Sequence, residues 1–488
     1  MTLDRTAFFI DGDWAAPASG DTIQVVSPHT EQVVATVPEG TTADMDAAVA
    51  AARRAFDSGP WPRMSPEERF DVVQNFSNLY AGKLGEMAEL ISTEMGAPLS
   101  FSNLAQAPAP WMQIEAFLGI ARSFPWEETR TGVLGTDVVV RREPVGVVAA
   151  IPPWNVPQFT IMSKLVPALL SGCTIVVKPA PETPLDPYLM AEILSEAGVP
   201  DGVVNIVTAG REVGAHLVAH PGVDKVAFTG STAAGRKIAA VCGEQLKRVS
   251  LELGGKSAAI VLDDADLAAT MEGLKFASLM NSGQACVAQT RILAPRSRYD
   301  ETVDAVTEVA RSVKVGDPAD FEVGVGPLIA ERQRERVEGY IRTGIDEGAR
   351  LTTGGGRPAG LDTGWYVEPT VFADVDNKMR IAQEEIFGPV VVVIPYTDTE
   401  DALAIANDNN YGLSGSVWTA DVAAGLDVAR GVRTGTYTVN GFGMDWGSPF
   451  GGFKDSGLGR ELGPEGLEEY LEYKSINLPA GTEPELRF

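Results

Sequence analysis

Histidine is scarce in this sequence of 488 residues, which contains only His29, His216 and His220. No clustered ligands accompany them, so we expect no metal site. A Ser-His-Asp triad is not expected either, since that arrangement needs a histidine as its base. The simpler interpretation is that each histidine is a surface or loop residue.

Cysteine is equally scarce, and the sequence contains only Cys173, Cys242 and Cys286. Three cysteines cannot all pair within one chain, and none lies in a CxxC arrangement. This usage favours a reducing compartment. Residues 1–6 lack the basic and apolar regions of a signal peptide, so we expect a cytoplasmic protein.

Basic residues and long apolar runs are also under-represented. The 39 Lys and Arg residues face 66 Asp and Glu residues, and the net charge of -27 argues against a nucleic-acid partner. The most apolar stretch, residues 145–177, is interrupted by several prolines and by Lys164, which favours buried strands and a helix over a membrane span. A chain of 488 residues is too long for one core, so we expect two or three domains.

The order of apolar segments predicts an α/β fold. Between residues 145 and 251, strands alternate with helices, which is typical of a parallel, doubly wound sheet. The alternation starts again at residues 258–261, so a second α/β domain is required. Short antiparallel strands are predicted within residues 8–37, and helices from Thr42 and after Ser65. The predicted strands of the doubly wound sheet are residues 147–151, 174–177, 203–207, 225–228 and 248–251.

Cys286 lies in a segment of small and polar residues, Asn-Ser-Gly-Gln-Ala-Cys-Val-Ala-Gln-Thr at 281–290. Gly283 and Ala285 add no bulk beside the sulfur, which suits a thiol that a substrate must reach. We therefore interpret Cys286 as a nucleophile. The alternative is an inert, buried cysteine, which is what a free cysteine usually is.

Three other segments carry groups that suit chemistry beside a thiol. Glu252 lies between two leucines and before two glycines, and an apolar setting raises a carboxyl pKa toward the range of a general base. Asn155, among prolines at 151–157, offers a neutral donor for an oxyanion, although it could be a turn residue. Ser231 ends a strand and opens a helix, which predicts an anion site or ordinary capping.

Together these motifs, in this order, make the chain resemble the aldehyde dehydrogenase superfamily over nearly its whole length. The resemblance is to the NAD(P)-dependent members that neither phosphorylate nor acylate coenzyme A. It implies that Cys286 attacks an aldehyde to form a thiohemiacetal, whose oxyanion Asn155 and the Cys286 N–H stabilise. Hydride transfer to the nicotinamide would leave a thioester, which water activated by Glu252 would hydrolyse to a carboxylic acid.

The resemblance also implies a full set of site residues. Glu461 would relay protons or order Lys178, although Arg460 and Glu461 could equally form a structural ion pair. The implied catalytic residues are Cys286, Glu252, Asn155, Lys178 and Glu461. The implied cofactor contacts are Ile151, Pro153, Trp154, Lys178, Gly230, Ser231, Leu253, Glu385 and Phe387. The implied lining of the aldehyde tunnel is Val156, Phe159, Thr160, Ser163, Ala285, Val287, Met444 and Trp446.

The choice of cofactor and substrate follows less directly. Lys178 would reach the adenosine ribose, but Pro181 stands where many NAD-preferring relatives have a glutamate that binds the ribose hydroxyls. The resemblance therefore leaves NAD and NADP open, with a slight preference for NAD. The tunnel residues include no arginine, and Asp445 lies beside Trp446, which favours uncharged aliphatic or aromatic aldehydes.

The resemblance further implies a layout of domains. Residues 1–122 and 145–253 would bind the dinucleotide, residues 254–455 would form the catalytic domain, and residues 123–144 with 470–488 would form a bridging β arm. Such an arm has exposed edges that recruit other chains, so we expect a homodimer or homotetramer. The alternative is that both arms pack on their own subunit.

Three competing functions can be weighed against the same residues. Relatives that acylate coenzyme A typically lack the base in the Glu-Leu-Gly-Gly segment, so Glu252 argues against that reaction. A non-catalytic binding protein is expected to have lost the nucleophile, the base or the cofactor loop, all of which are present here. A cysteine hydrolase without a cofactor is disfavoured because no histidine lies near a nucleophile motif.

Overall fold

The computed structural model describes residues 3–133, 135–482, 484 and 486. The other residues belong to the predicted amino-terminal and bridging segments and lie outside the described residues. The described part of the chain forms 20 strands: β1 Phe8–Ile10, β2 Asp13–Ala15, β3 Thr22–Val26, β4 Val33–Pro38, β5 Glu127–Thr131, β6 Asp137–Pro144, β7 Val147–Ile151, β8 Thr174–Val177, β9 Val204–Ile206, β10 Lys225–Thr229, β11 Arg248–Glu252, β12 Ala258–Val261, β13 Arg291–Pro295, β14 Arg350–Thr353, β15 Thr370–Ala373, β16 Val390–Tyr396, β17 Gly415–Trp418, β18 Thr438–Val439, β19 Gly457–Leu458 and β20 Leu471–Asn477.

The same ranges contain 16 α-helices: α1 Thr42–Asp57, α2 Pro66–Ala81, α3 Leu84–Met95, α4 Leu99–Phe101, α5 Pro108–Ser123, α6 Pro157–Ser171, α7 Leu185–Glu196, α8 Arg211–Ala219, α9 Thr232–Gln245, α10 Leu267–Leu279, α11 Tyr299–Ser312, α12 Glu331–Asp346, α13 Arg380–Gln383, α14 Thr399–Asn407, α15 Val422–Gly431 and α16 Gly463–Glu468. Ser102–Gln106 is a π-helical turn that follows α4. Helix α2 begins after Ser65 as predicted, and Ser65 caps it, because the Ser65 hydroxyl accepts from the Glu68 N–H and the Glu68 carboxylate accepts from the Ser65 N–H.

The first sheet is the predicted doubly wound one. Its order across the described strands is β19-β11-β10-β7-β8-β9-β1-β2, with β7 to β11 all parallel where they pair. The chain passes from β7 outward to β8 and β9, then returns to β10 and β11 on the other side. This reversal opens a crevice between β7 and β10 at their carboxyl ends, which is where such folds bind ligands.

Strand β7, at the centre of this sheet, is apolar at every position because both faces of the sheet are covered. Val148 and Ala150 pack into a core with helices α2, α5 and α6 on one face. Val147 and Ala149 pack into a second core with α1, α8 and α9 on the other face. Both faces are buried, so every position of the strand is apolar rather than every second one.

Three further sheets complete the architecture, and the smallest is the antiparallel pair of β3 and β4. The second sheet has the order β14-β15-β16-β13-β12-β17-β18 among the described strands, and it is parallel except at β14. The third has the order β20-β6-β5, with β6 and β20 antiparallel from the pair Leu471 and Pro144 to the pair Asn477 and Val138. The predicted pairing of these two distant segments is thus confirmed, while their part in oligomerisation stays a prediction.

The end of the chain also returns to the first sheet. Strand β19 pairs antiparallel with β11, so that Gly457 lies opposite Glu252. Among the described residues, no helix combines the length and the apolar character needed to cross a membrane.

Candidate active site

The loop after β7 holds Asn155 through contacts with two other segments. The Asn155 carbonyl accepts hydrogen bonds from Nδ2 of Asn281 at 2.9 Å and from Nε2 of Gln106 at 2.9 Å. The Asn155 Nδ2 donates to the carbonyl of Gln284 at 2.9 Å. An amide carries two N–H groups, so one of them is fixed and the other remains to donate to a bound molecule.

The loop before Cys286 has an unusual backbone. Asn281, Ser282 and Gly283 have φ angles of 55°, 58° and 72°, in the left-handed region that favours glycine. A Cβ on Gly283 would lie 2.2 Å from the carbonyl oxygen of Gly388, so only glycine fits there. Such strain persists when surrounding contacts determine the conformation, and it fixes the position of Cys286.

The loop between α13 and β16 carries the predicted nicotinamide contacts. Glu385 Oε1 accepts the backbone N–H of Gly255 at 2.9 Å, and burial raises the pKa of the Glu385 carboxyl. Phe387 has a φ of 65°, and its ring meets the Trp154 ring edge to face, with centroids 5.4 Å apart. The aromatic contact therefore connects this loop to the loop after β7.

Glu252 and Cys286 interact directly. Burial raises the pKa of the Cys286 thiol well above its usual value, and the carboxylates of Glu252 and Glu385 raise it further. Burial also raises the pKa of Glu252, as does Glu461, while Lys164 lowers it. The Glu252 Oε1 atom is buried without a hydrogen-bond partner. The thiol and the carboxyl are therefore close enough for a proton to pass from sulfur to carboxylate.

Glu461 pairs with a lysine that is not among the predicted site residues. Its Oε1 lies 2.6 Å from Nζ of Lys164, and its Oε2 accepts from the hydroxyl of Ser163 at 2.8 Å. The prediction that Glu461 orders Lys178 is therefore wrong. The alternative pairing with Arg460 is not seen either, because the Arg460 guanidinium donates to backbone carbonyls.

Lys178 lies apart from the catalytic pair. Its Nζ donates to the carbonyls of Pro179 at 2.7 Å and Ala209 at 2.9 Å, and burial lowers its pKa to about 8. These contacts do not support a catalytic role for Lys178, although a role beside the adenosine ribose stays a prediction. Ser231 caps helix α9 by accepting the Ala234 N–H at 3.3 Å, as the capping interpretation expected.

Two cavities meet at Cys286. The first, of about 260 Å³, opens at the crevice between β7 and β10, and we call it the crevice cavity. Of the predicted cofactor residues, Ile151 and Lys178 lie outside its described lining. The predicted cofactor residues that line it are Pro153, Trp154, Gly230, Ser231, Leu253, Glu385 and Phe387.

The second cavity, of about 140 Å³, lies on the other side of Cys286, and we call it the inner cavity. Its lining includes the predicted tunnel residues except Ser163, which bonds to Glu461 instead. The residues that line both cavities are Asn155, Val156, Thr160, Glu252 and Cys286. The thiol, the carboxylate and the amide therefore lie where the two cavities join.

Sequence reasoning missed several residues of this site. Lys164 could have been noticed, because a lysine in an apolar helix needs a buried partner. The aromatic lining of the inner cavity gave no local signal, since it comes from separate segments of the chain. The aromatic residues missed there are Phe101, Phe276, Phe442 and Phe450.

Two histidines do come together, contrary to the expectation that no ligands cluster. Nε2 of His216 lies 2.6 Å from Oδ1 of Asp46, and Nε2 of His220 lies 3.4 Å from the same oxygen. Nδ1 of His220 accepts the backbone N–H of Gly222 at 3.0 Å, so the neutral ring carries its proton on Nε2. That nitrogen is then a donor to Asp46 rather than a free metal ligand.

Comparisons with known proteins agree with this geometry. A family model described as "Aldehyde dehydrogenase family" matches residues 14–476. Geranial dehydrogenase of Castellaniella defragrans is 46% identical over 478 residues, which cover 98% of this chain and 100% of that protein.

Solved structures are similar over the same length. The aldehyde dehydrogenase of Mycobacterium tuberculosis complexed with NAD+ superposes with a TM-score of 0.98 and 52% identity, covering 99% of this chain and 100% of that one. A mutant of aldehyde dehydrogenase C of Pseudomonas syringae, complexed with NAD+ and octanal, has a TM-score of 0.94 and 42% identity, covering 96% of each chain.

Proposed function

Because this chain belongs to the aldehyde dehydrogenase family, we propose that it oxidises an aldehyde to its carboxylic acid through covalent chemistry at Cys286, with NAD(P) as the electron acceptor. The observation that carries this proposal is the position of the thiol. Cys286 lies where the crevice cavity and the inner cavity join, with Glu252 and Asn155 in both linings. A thiol there can meet an aldehyde on one side and a cofactor on the other.

The residues of the crevice cavity fit the nicotinamide end of a dinucleotide. A Cβ on Gly254 would lie 2.7 Å from Glu385 Oε2, so glycine leaves the backbone close to that carboxylate. Gly230 and Ser231 precede helix α9, where free N–H groups and the helix dipole suit a phosphate. Trp154 and Phe387 supply the apolar wall. Bound NAD(P) supplies an acceptor for two electrons and one proton, taken together as hydride.

The protein's own groups perform the acid-base steps. Glu252 takes the proton of the Cys286 thiol, and the thiolate attacks the carbonyl carbon while the carbonyl π electrons move to oxygen. The free N–H of Asn155 and the backbone N–H of Cys286 stabilise the oxyanion. Glu252 then releases that proton to solvent. Once the adduct is oxidised to the thioester, the Glu252 carboxylate deprotonates a water molecule that attacks the thioester carbon, and the acid leaves as the thiolate reforms and takes the proton from Glu252. The raised pKa of Glu252 makes its carboxylate a stronger base than that of an ordinary glutamate.

The preferred substrate is an uncharged aldehyde. The charged residues among the described lining of the inner cavity are Glu252 and Glu461, which disfavour an anionic substrate. Aromatic and apolar side chains form most of the remaining wall. NAD is favoured over NADP only slightly, since Pro181 brings no carboxylate to repel a 2'-phosphate.

The layout of domains follows the same reasoning. Residues 1–122 and 145–253 bind the dinucleotide, because the crevice lies in the first sheet. Residues 254–455 form the catalytic domain, with the second sheet at its core. The segments 123–144 and 470–488 form the bridging arm, whose outer strands β5 and β20 leave edges for a dimer or tetramer.

The test is the formation of NAD(P)H, followed by its absorbance, with aliphatic, aromatic and acidic aldehydes and with each dinucleotide. We expect Cys286→Ala to abolish turnover while the cofactor still binds. Cys242→Ala is the matched control, since that cysteine is buried in α9 away from both cavities. Turnover that survives in Cys286→Ala, or binding of the cofactor without reduction by any aldehyde, would refute the proposal.

A further inference from the structure

A third cavity lies beside the inner one. It has a volume of about 270 Å³, and we call it the outer groove. Its walls come from α4 and the π-helical turn, from α10, and from the loop around Val323. Leu104 lines it with 67% of its surface exposed, and Phe276 with 38% exposed. Large apolar side chains exposed together in a concave site mark a place where an apolar molecule binds.

The outer groove borders the inner cavity, and the two share part of their walls. Phe101, Phe276, Met280 and Asn281 line both. The ring of Phe276 contacts that of Phe101 at 6.2 Å and that of Phe442 at 5.7 Å between centroids, and Phe442 lines only the inner cavity of the two. A row of aromatic rings therefore leads from the wall near the thiol to the surface.

The size of the inner cavity limits what it can hold alone. At about 30 Å³ for a group of the size of water, its volume of about 140 Å³ has room for roughly five such groups. A longer aldehyde must extend beyond it. The rim of the outer groove carries Glu272 and Lys275, of opposite charge on the same helix, so neither sign of charge is favoured there.

Resting on the aldehyde oxidation proposed above, we infer that the outer groove binds the distal hydrocarbon part of a long, uncharged aldehyde whose reactive carbon lies at Cys286. The inner cavity then holds the carbons nearest the aldehyde, and the row of Phe101, Phe276 and Phe442 guides the chain between the two sites. The enzyme is thereby selective for the length of its substrate.

The first experiment measures kcat/KM for unbranched aldehydes from propanal to dodecanal. Each methylene that leaves water is expected to raise kcat/KM by about two- to fourfold. The rise should continue past hexanal, which already fills the inner cavity. A plateau at hexanal would overturn the inference. If no aldehyde is oxidised, propanal included, then the proposed function fails and the inference fails with it.

The second experiment changes only the outer groove. Leu104→Lys should lower kcat/KM for decanal by about tenfold, since the chain then meets a charge in place of apolar surface, and should leave propanal unchanged. The same variant should favour a decanal analogue with a terminal carboxylate, whereas Leu104→Glu should not. Leu426→Lys is the matched control, because Leu426 is an exposed leucine of α15 that lies in none of these linings.

Two outcomes of this second experiment would overturn the inference. One is an equal loss in Leu104→Lys for short and long aldehydes. The other is a loss in Leu426→Lys as large as that in Leu104→Lys. Leu104→Gln repeats the comparison without a charge if the charged variants do not fold.

Discussion

The buried pair of Lys164 and Glu461 gives the sharpest prediction for stability. Lys164 is fully buried, and its ammonium donates to Glu461, to the Thr229 hydroxyl at 2.6 Å and to the Thr160 carbonyl at 3.1 Å. Glu461→Leu leaves this ammonium with neutral acceptors only. A lysine with its ordinary pKa can lose its charge at pH 7 by releasing its proton, which costs about 4.6 kcal/mol. This cost is an upper limit on the electrostatic part of the loss in the free energy of unfolding.

The reverse variant, Lys164→Met, leaves the Glu461 carboxylate buried with the Ser163 hydroxyl. Protonation of an ordinary glutamate at pH 7 costs about 3.7 kcal/mol, which limits that loss in the same way. We expect each single variant to lose about 3–4 kcal/mol in the free energy of unfolding. The double variant buries neither charge. Its loss in the free energy of unfolding should therefore be smaller than the summed losses of the two single variants, by at least about 2 kcal/mol.

The assay is urea unfolding of the four proteins in this cycle, followed by tryptophan fluorescence and circular dichroism. The matched control is the same cycle at Lys83 and Glu86, an exposed ion pair on α3 and its cap. Exposed ion pairs couple only weakly, so the losses at this control pair should add. If the losses at Lys164 and Glu461 add within about 0.5 kcal/mol, the reasoning about the buried pair is refuted.

Two other predictions concern a buried acid pair and a strained glycine. Burial raises the pKa of Asp186 to about 7 beside the buried Glu94, so the folded state keeps a proton that the unfolded state releases, and stability falls as pH rises from about 4 to about 7. One such proton lowers the free energy of unfolding by about 1.4 kcal/mol per pH unit. Asp186→Asn should therefore make the free energy of unfolding, measured with urea, fall less steeply with pH. An unchanged slope would contradict the raised pKa of Asp186. Gly283→Ala should lose about 2–4 kcal/mol and raise the cofactor KM, because its Cβ would displace Gly388. Gly119→Ala, in open space on α5, should show neither effect, and equal behaviour of the two variants would contradict the clash.

The alternation of strands and helices was predictable because central parallel strands are buried on both faces. Strand β7 consists of five apolar residues without polar interruption, which is the pattern of a strand buried on both faces. The family and the fold class predicted from the sequence are both confirmed. No single segment of the sequence predicts the order of the strands. The sequence therefore does not predict which loops meet at the crevice.

The sequence could not predict which residues contact one another in the site. Lys164 and Glu461 lie 297 positions apart, and a wrong lysine was chosen because Lys178 lies in a recognisable motif. Phe101, Phe276 and Phe442 meet only through the packing of three separate segments. The spacing of His216 and His220 was visible, but Asp46 reaches them from another helix.

The return of strand β19 to the first sheet has a consequence for the synthesis of the protein. Strand β11, which carries Glu252, pairs on one side with residues 457–458, and Glu461 follows a few positions later. A ribosome delivers these residues long after it has delivered β11 itself. Until then, the strand that carries the base has an open edge and the buried lysine has no counter-charge. The nascent polypeptide therefore completes its reactive centre only after every strand of the second sheet has been synthesised.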